Sequence, residues 1–437
     1  MIRTFFAMLV VASITLSIIV ACEEPVTTFI PDPPPEEELV EEGPATFVWA
    51  REVHNLDGFG QGIGIRPVRG SKAVAVLHNG DSLNWLFHLD TADGTVIDSF
   101  LVDAPGFGTG RIRNDIGGYA LDGSEYVAAI DRWPFRLDFT DGSIRWLNRG
   151  SLSPGYVTTD GASYFGATFT DWDEVPSVYE LDATTGIPVD SLVFADYPSG
   201  RRGGILSPAA GALPDSLGGG RALYFVNGYI THDSLGYGRS WLQAVRWDDK
   251  QVLWRRRFVE DQAVSGAAPL FYDNLLILPG WDTIHAFDRY TGEEVWSYFA
   301  WQFVEDMASG GDFLGTSPEL AADGLAYFGA SSANEPIFCL DAATGRRVWQ
   351  VDGFSSPGAG SAFQLIGDGM LAVAAFSGNA TYLYDRHTGR ELAKLDKIST
   401  NGWIYAGVHY DAATRRVYGY DGARAYCYQL NFEPPGE

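Results

Sequence analysis

Residues able to do chemistry are present in this sequence but are not arranged for it. Its histidines, His54, His78, His88, His232, His285, His387 and His409, are scattered, with no pair at close zinc-ligand spacing. The run Asp171-Trp172-Asp173-Glu174 offers carboxylates to Ca²⁺, yet it lacks the glycine and terminal acid of a calcium loop; a solvated acidic loop is the alternative. No Gly-x-Ser-x-Gly nucleophile turn and no phosphate-binding Gly-Lys-Ser/Thr loop occurs. The three cysteines, Cys22, Cys339 and Cys427, include no adjacent pair. The other chemistry on offer is recognition. Trp172, Tyr229, Tyr237 and Trp301 lie with Arg201 and Arg202 in long polar stretches, and large aromatics and arginines are the side chains that most often anchor a partner.

The elements that must position these residues are written in a repeat. "LDAATGRRVW" (340–349) recurs as "FDRYTGEEVW" (287–296) and "LDFTDGSIRW" (137–146), with weaker copies beginning at Leu89, Leu181, Val245 and Tyr384. Its fixed positions are Asp341, Gly345 and Trp349, matched by Asp288, Gly292 and Trp296 and by Asp138, Gly142 and Trp146. The physical reading is a tight hairpin: the Asp carboxylate accepts backbone N–H groups two residues on, and Gly supplies the positive φ that ends the turn. Trp then brings a large apolar body with one donor to the seam between neighbouring sheets. Asp-Gly and Asp-Asn pairs upstream, at Asp122, Asp160, Asp273, Asp323 and Asp368, mark a second hairpin in each unit. No long helical periodicity interrupts them, so the prediction is all-β, with four-stranded blades.

The seven phrases leave both ends over. "RAYCYQLN" (424–431) matches "PIFCLDAA" (336–343), placing Cys427 on Cys339, but no return strand follows. "ATFVWARE" (45–52) supplies a strand ending near Trp49, which is what the last unit lacks. The predicted solution is an eight-bladed propeller closed by its N-terminal strand, since closure leaves no exposed edge. Cys339 and Cys427, two blades apart at one repeat position, are expected to be small buried side chains rather than a disulfide.

The Asp-x-x-Thr-Gly-x-x-x-Trp phrase resembles the pyrroloquinoline-quinone-like propeller repeat over 45–431. That repeat occurs in quinoprotein alcohol dehydrogenases and in a lipoprotein of the outer-membrane β-barrel assembly machinery, both with eight blades. The enzymes' pattern would imply a vicinal disulfide, a Ca²⁺ site and a catalytic Asp; this chain has no adjacent cysteines, which counts against it. The lipoprotein resemblance implies a protein partner, and one scaffold hosts both roles.

Residues 1–21 have the layout of a secretory signal, and Ile19-Val20-Ala21-Cys22 resembles a bacterial lipobox that lipidates Cys22. Residues 22–44 are acidic and proline-rich, an extended tether or a disordered leader. The domain follows over 45–431, with a tail at 432–437. A net charge of −26 argues against nucleic-acid binding. Arg255-Arg256-Arg257 is expected to be a solvated outer edge.

Hairpins that join each blade's first strand to its second, and its third to its fourth, are short. Longer connections fall on the opposite end: 168–177, 198–204, 227–240 and 300–315. The expected function is therefore non-catalytic: a monomeric, lipid-anchored envelope propeller, in the outer membrane with its face open, binding a protein or polymer partner on its long-loop rim without a cofactor or metal. The competing readings are a quinone- or Ca²⁺-dependent envelope oxidoreductase and a carbohydrate-binding surface lipoprotein.

Overall fold

In a computed structural model the described residues are 43–436, apart from 54–64, 69–70, 80–83, 103–111, 114–118, 122–124, 131–132, 149–153, 171–176, 195–201, 231–238, 259–268, 281–282, 301–317, 330–335, 353–361, 375–379, 397 and 399–407. The expected signal, Cys22 and most of the tether lie outside them.

The described residues form eight antiparallel four-stranded blades in a ring. Strands are lettered A to D in the order in which they hydrogen-bond. Blade 1 is Ile65–Pro67, Ala73–Asn79, Asn84–Asp90 and Val96–Val102. Blades 2 to 7 follow in chain order, beginning with strands A at Ile112–Arg113, Pro154–Thr159, Arg202–Ala212, Leu270–Tyr272, Glu319–Leu320 and Ala362–Ile366. Strand A of blade 2 has a second piece, Tyr119–Leu121, on the same partner. Blade 8 takes strands A to C from His409–Asp411, Arg416–Tyr420 and Arg424–Leu430, and strand D from Ala45–Glu52 at the other end of the chain. The expected closure by the N-terminal strand is thus present, and Asn431 bonds Gly43 and Thr46 across the join at 2.7 Å each. Strands D are outermost: Val189 and Val193 on strand D of blade 3, Pro188–Val193, are 62% and 53% exposed.

The repeated phrase folds as its chemistry dictates. Asp288 Oδ1 accepts the N–H groups of Tyr290 and Thr291, and Asp341 Oδ1 accepts the N–H and the side-chain O–H of Thr344. Glycines 94, 142, 186, 292, 345 and 389 take φ between 66° and 71°. Each tryptophan then docks on the next blade. The ring of Trp296 lies over Gly345, that of Trp349 over Gly389, that of Trp254 over Gly292 and that of Trp49 over Gly94. Each indole N–H donates to the carbonyl one residue past the turn's Asp position: Trp49 to Thr91, Trp146 to Ala183, Trp254 to Arg289, Trp296 to Ala342 and Trp349 to Arg386, at 2.9–3.3 Å. Arg51, Asn148 and Arg256, two residues beyond their tryptophans, add bonds to the carbonyls of Gly94, Gly186 and Gly292. Arg255-Arg256-Arg257 is exposed on the outermost strand of blade 4, as expected, and within that edge Arg256 bonds Gly292 O while Arg255 stacks over Trp241 at 4.4 Å.

Where the tryptophan is missing, the same carbonyl is met otherwise. Between blades 1 and 2, Phe100 covers Gly142 while His88 Nε2 bonds Phe139 O at 2.6 Å. Between blades 3 and 4, Asp190 stands in the Trp position and Lys250, with φ 60°, in the Gly position. The Lys250 ammonium pairs with Asp190, bonds Trp247 O at 2.6 Å and lies 3.6 Å over the Trp247 ring. One cation thus replaces the neighbour's indole donor. Strand B of blade 3 also pairs with strand A of blade 4 through Phe169 and Thr170, so the two blades share a continuous sheet. Between blades 7 and 8, Ala393 occupies the Trp position and Phe432 of the tail packs into its cluster.

The Asp190–Lys250 replacement gives a testable coupling. Lys250→Gly and Asp190→Trp should each be neutral or destabilising alone, because each leaves half of a seam. Combined, they should recover wild-type stability or better, with a coupling of about 0.5–3 kcal/mol in chemical denaturation. Additive effects would separate the two residues.

Candidate functional site

Three regions are open to function: the two ends of the ring and its axis. At the end carrying the A–B and C–D hairpins, the turns are committed to seams by the docking just described, and ion pairs tie them further. Glu180 accepts from both Arg221 nitrogens at 2.5 and 3.1 Å, from Ser163 Oγ at 2.7 Å and from Trp247 Nε1 at 2.6 Å. Asp323 takes a two-pronged contact from Arg386 at 2.8 and 2.9 Å. One hairpin departs from the expected short form: Leu213–Gly220 in blade 4 holds a turn of 3-10 helix, Asp215–Leu217.

On the opposite end, the structure shortens the expected loops. Strands reach Thr170 and resume at Ser177, so the connection is 171–176 rather than 168–177. Arg202 belongs to strand A of blade 4, its backbone opposite Ile230, and Tyr229 belongs to strand B, opposite Arg239. Neither is a loop residue as expected. The long hairpins of blade 4 extend their ladders before turning, which takes in Arg202 and Tyr229, and Phe169 and Thr170 of blade 3 pair with its first strand. Trp172, Arg201, Tyr237 and Trp301 lie outside the described residues. Cys339 and Cys427 are buried free thiols, as expected.

Sequence reasoning missed the axis. The strand B residue opposite the phrase's Asp position fixes a common register in every blade, as Ala73 pairs Asp90, Leu325 pairs Asp341 and Met370 pairs Asp385. Two residues further along strand B, the partner on the innermost strand is Arg66 in blade 1, Tyr119 in blade 2, Thr158 in blade 3, Ala209 in blade 4, Leu270 in blade 5, Glu319 in blade 6, Gln364 in blade 7 and His409 in blade 8. These residues form one ring. Blades 6, 7, 8 and 1 give it an unbroken polar arc. Their sequence neighbours Leu320, Leu365 and Tyr410 pack into the seam with the preceding blade, so the ring residues take the other face.

The arc is electrostatically unusual. Burial pushes the Glu319 carboxyl up to about 7, and burial is the sole cause. Burial presses the Arg66 guanidinium below its ordinary range, with Tyr126 opposing. Burial also lowers His409, with the Asp411 carboxylate opposing and Arg66 adding to the shift. Arg66, Glu319, Gln364 and His409 are nonetheless only half-buried by surface area. Side chains surrounded by protein yet touched by solvent are what an axial opening produces.

Glu319 makes stability depend on pH. Its folded pKa is raised above the ordinary 4.5, so its contribution is intact below pH 4.5 and is lost as pH rises through about 7. Glu319→Gln should therefore stabilise the protein by on the order of 2 kcal/mol at pH 8 and leave it unchanged at pH 4.5. Thermal melts at the two pH values check this; equal effects at both would place the carboxyl in solvent.

Among the described residues no group of three or more His, Cys, Asp and Glu is placed to hold a metal ion, and no helix is long and apolar enough to cross a membrane.

Comparison with known proteins agrees with the architecture. Residues 238–403, less than half of the chain, match a family model described as outer membrane protein assembly factor BamB. The structure is similar to BamB from Moraxella catarrhalis, with a TM-score of 0.53 and 15% identity over 89% of this chain and 98% of that one. It is also similar to the quinohemoprotein alcohol dehydrogenase ADHIIG from Pseudomonas putida HK5, with a TM-score of 0.57 and 13% identity over 90% and 78%. Saccharomyces cerevisiae Sqt1 gives a TM-score of 0.57 and 10% identity over 88% and 99%. At such identities the likeness is one of fold. No curated protein sequence matches. The resemblance to the pyrroloquinoline-quinone-like propeller repeat stands on the family match and the eight blades together.

Proposed function

We propose that this chain is a non-catalytic scaffold of the bacterial cell envelope, anchored through a lipid on Cys22, that holds another envelope protein on the end of the ring carrying its B–C and D–A connections. The observation that carries the reading is the asymmetry between the two ends. The C–D hairpins are fixed by indole rings and carbonyl bonds from the neighbouring blade, which leaves them little freedom to vary. The B–C and D–A connections lie mostly outside the described residues; in the sequence they include the long ones, 198–204, 227–240 and 300–315, and loops on a rigid scaffold are where recognition resides. The match of 238–403 to the BamB family model supports a protein as the partner and the outer membrane as the location.

The test is crosslinking of the membrane-held protein followed by affinity capture, with absorption and metal analysis of the purified chain alongside. The reading predicts enrichment of one envelope protein, loss of membrane retention in Cys22→Ser, and no stoichiometric chromophore. A bound quinone with alcohol-oxidising activity would overturn it.

A further inference from the structure

The polar arc of the axial ring contains a buried N–H donor that the described protein does not satisfy: Arg66 Nε reaches no hydrogen-bond partner. Arg66 has no carboxylate within ion-pair reach among the described residues, and the one acid in the ring, Glu319, sits across blades 7 and 8 with no influence from a cation on its protonation. A buried guanidinium without a counter-charge is costly, and unsatisfied buried polar groups in a folded protein point to something that completes them. Arg66 holds the same register position in blade 1 as His409 in blade 8, Gln364 in blade 7 and Glu319 in blade 6, so its donor belongs to a ring of polar residues.

We propose that the axis of the propeller binds a small oxyanion, a carboxylate or phosphate group, at Arg66, with Gln364 and His409 on the same arc. A guanidinium offers paired N–H donors that match the two oxygens of such a group, and in a protein-walled opening the pairing is screened less than at the surface. His409, whose protonation burial disfavours, with Asp411 opposing and Arg66 adding to the shift, brings a hydrogen-bonding ring to the same arc. Protonated Glu319 keeps a negative charge out of the ring, whereas ionised Glu319 would repel the ligand.

Titration of the purified full chain with inorganic phosphate and, separately, with succinate, at constant ionic strength set by sodium chloride and at pH 6, tests this by calorimetry and thermal shift. One of the two should give saturable binding and raise the melting temperature; which one identifies the oxyanion. Arg66→Met should abolish that response while leaving the ligand-free melting temperature equal or higher, because an unpaired buried charge is gone. Arg66→Lys should weaken binding at least tenfold without abolishing it, and so serves if the methionine variant does not fold. No saturable response to either anion in the wild type, or equal responses in wild type and variants, would overturn the proposal. So would an experimental map showing one of the chain's own carboxylates on the Arg66 guanidinium.

Discussion

Deleting Ala45–Glu52 should open the ring, with a loss of stability larger than any single side chain explains. The strand pairs with Arg424–Leu430 from Ala45 to Glu52 and carries Trp49, which is 6% exposed and docks on Gly94. Removing a buried Trp alone costs about 3–5 kcal/mol, and Trp49→Ala should show that much. The deletion adds the lost ladder and an exposed edge on Arg424–Leu430, which invites association between molecules. Melting should fall by about 10 °C or more and acquire a concentration dependence. Deleting residues 23–40 should change neither. Equal melting of the two truncations would show that strand D of blade 8 does not close the ring.

Substitution at the docked glycines should rank next. A Cβ on Gly345 would lie 2.5 Å from Trp296 Cε3, and the backbone there has φ +69°. Gly161 also has a positive φ, +90°, but nothing within 4 Å of its would-be Cβ. Gly161→Ala therefore carries backbone strain alone, about 1–2 kcal/mol. Gly345→Ala carries that strain plus displacement of an indole and its bond to Ala342 O, about 3–5 kcal/mol in total. Denaturant midpoints compare them directly. Equal costs would mean that the indole is not seated on the turn.

Much of this fold was legible because the phrase encodes a docking joint. Its Asp, Gly and Trp mark a turn, a conformational requirement and a contact with the next blade, so a linear pattern specified a three-dimensional seam. The closing strand was legible for the same reason: Trp49 is a joint without its own turn. The weak copies hid more. "LDATTGIPVD" and "VRWDDKQVLW" look like decay of the pattern, yet they are consecutive, and Asp190 in one is answered by Lys250 in the other. The replacement is visible only when the two phrases face each other.

The axial ring was not legible. Arg66, Gln364, Glu319 and His409 lie in strands as short as Glu319–Leu320, too short for alternation to declare a face. No shared neighbouring residue marks them. Their equivalence follows only from counting the ladder back from the phrase Asp through strand B. The loop placement of Arg202 and Tyr229 was misread for a related reason: polar, glycine-rich sequence at the ends of blade 4's strands has the composition of loop but continues the ladder.

Recognition is proposed for the end of the ring opposite the docked hairpins. The measurement that tests it most directly is partner capture from membranes by paired surface variants, each with its melting temperature recorded. Arg201→Ser with Arg202→Ser, and separately Trp172→Ala with Tyr237→Ala, should reduce capture at least several-fold while melting within a few degrees of wild type. Asp93→Ser and Arg346→Ser, on the C–D hairpins of blades 1 and 6, should leave capture unchanged. Capture that survives the first two variants and is lost with the hairpin variants would contradict the claim and put the partner on the other face.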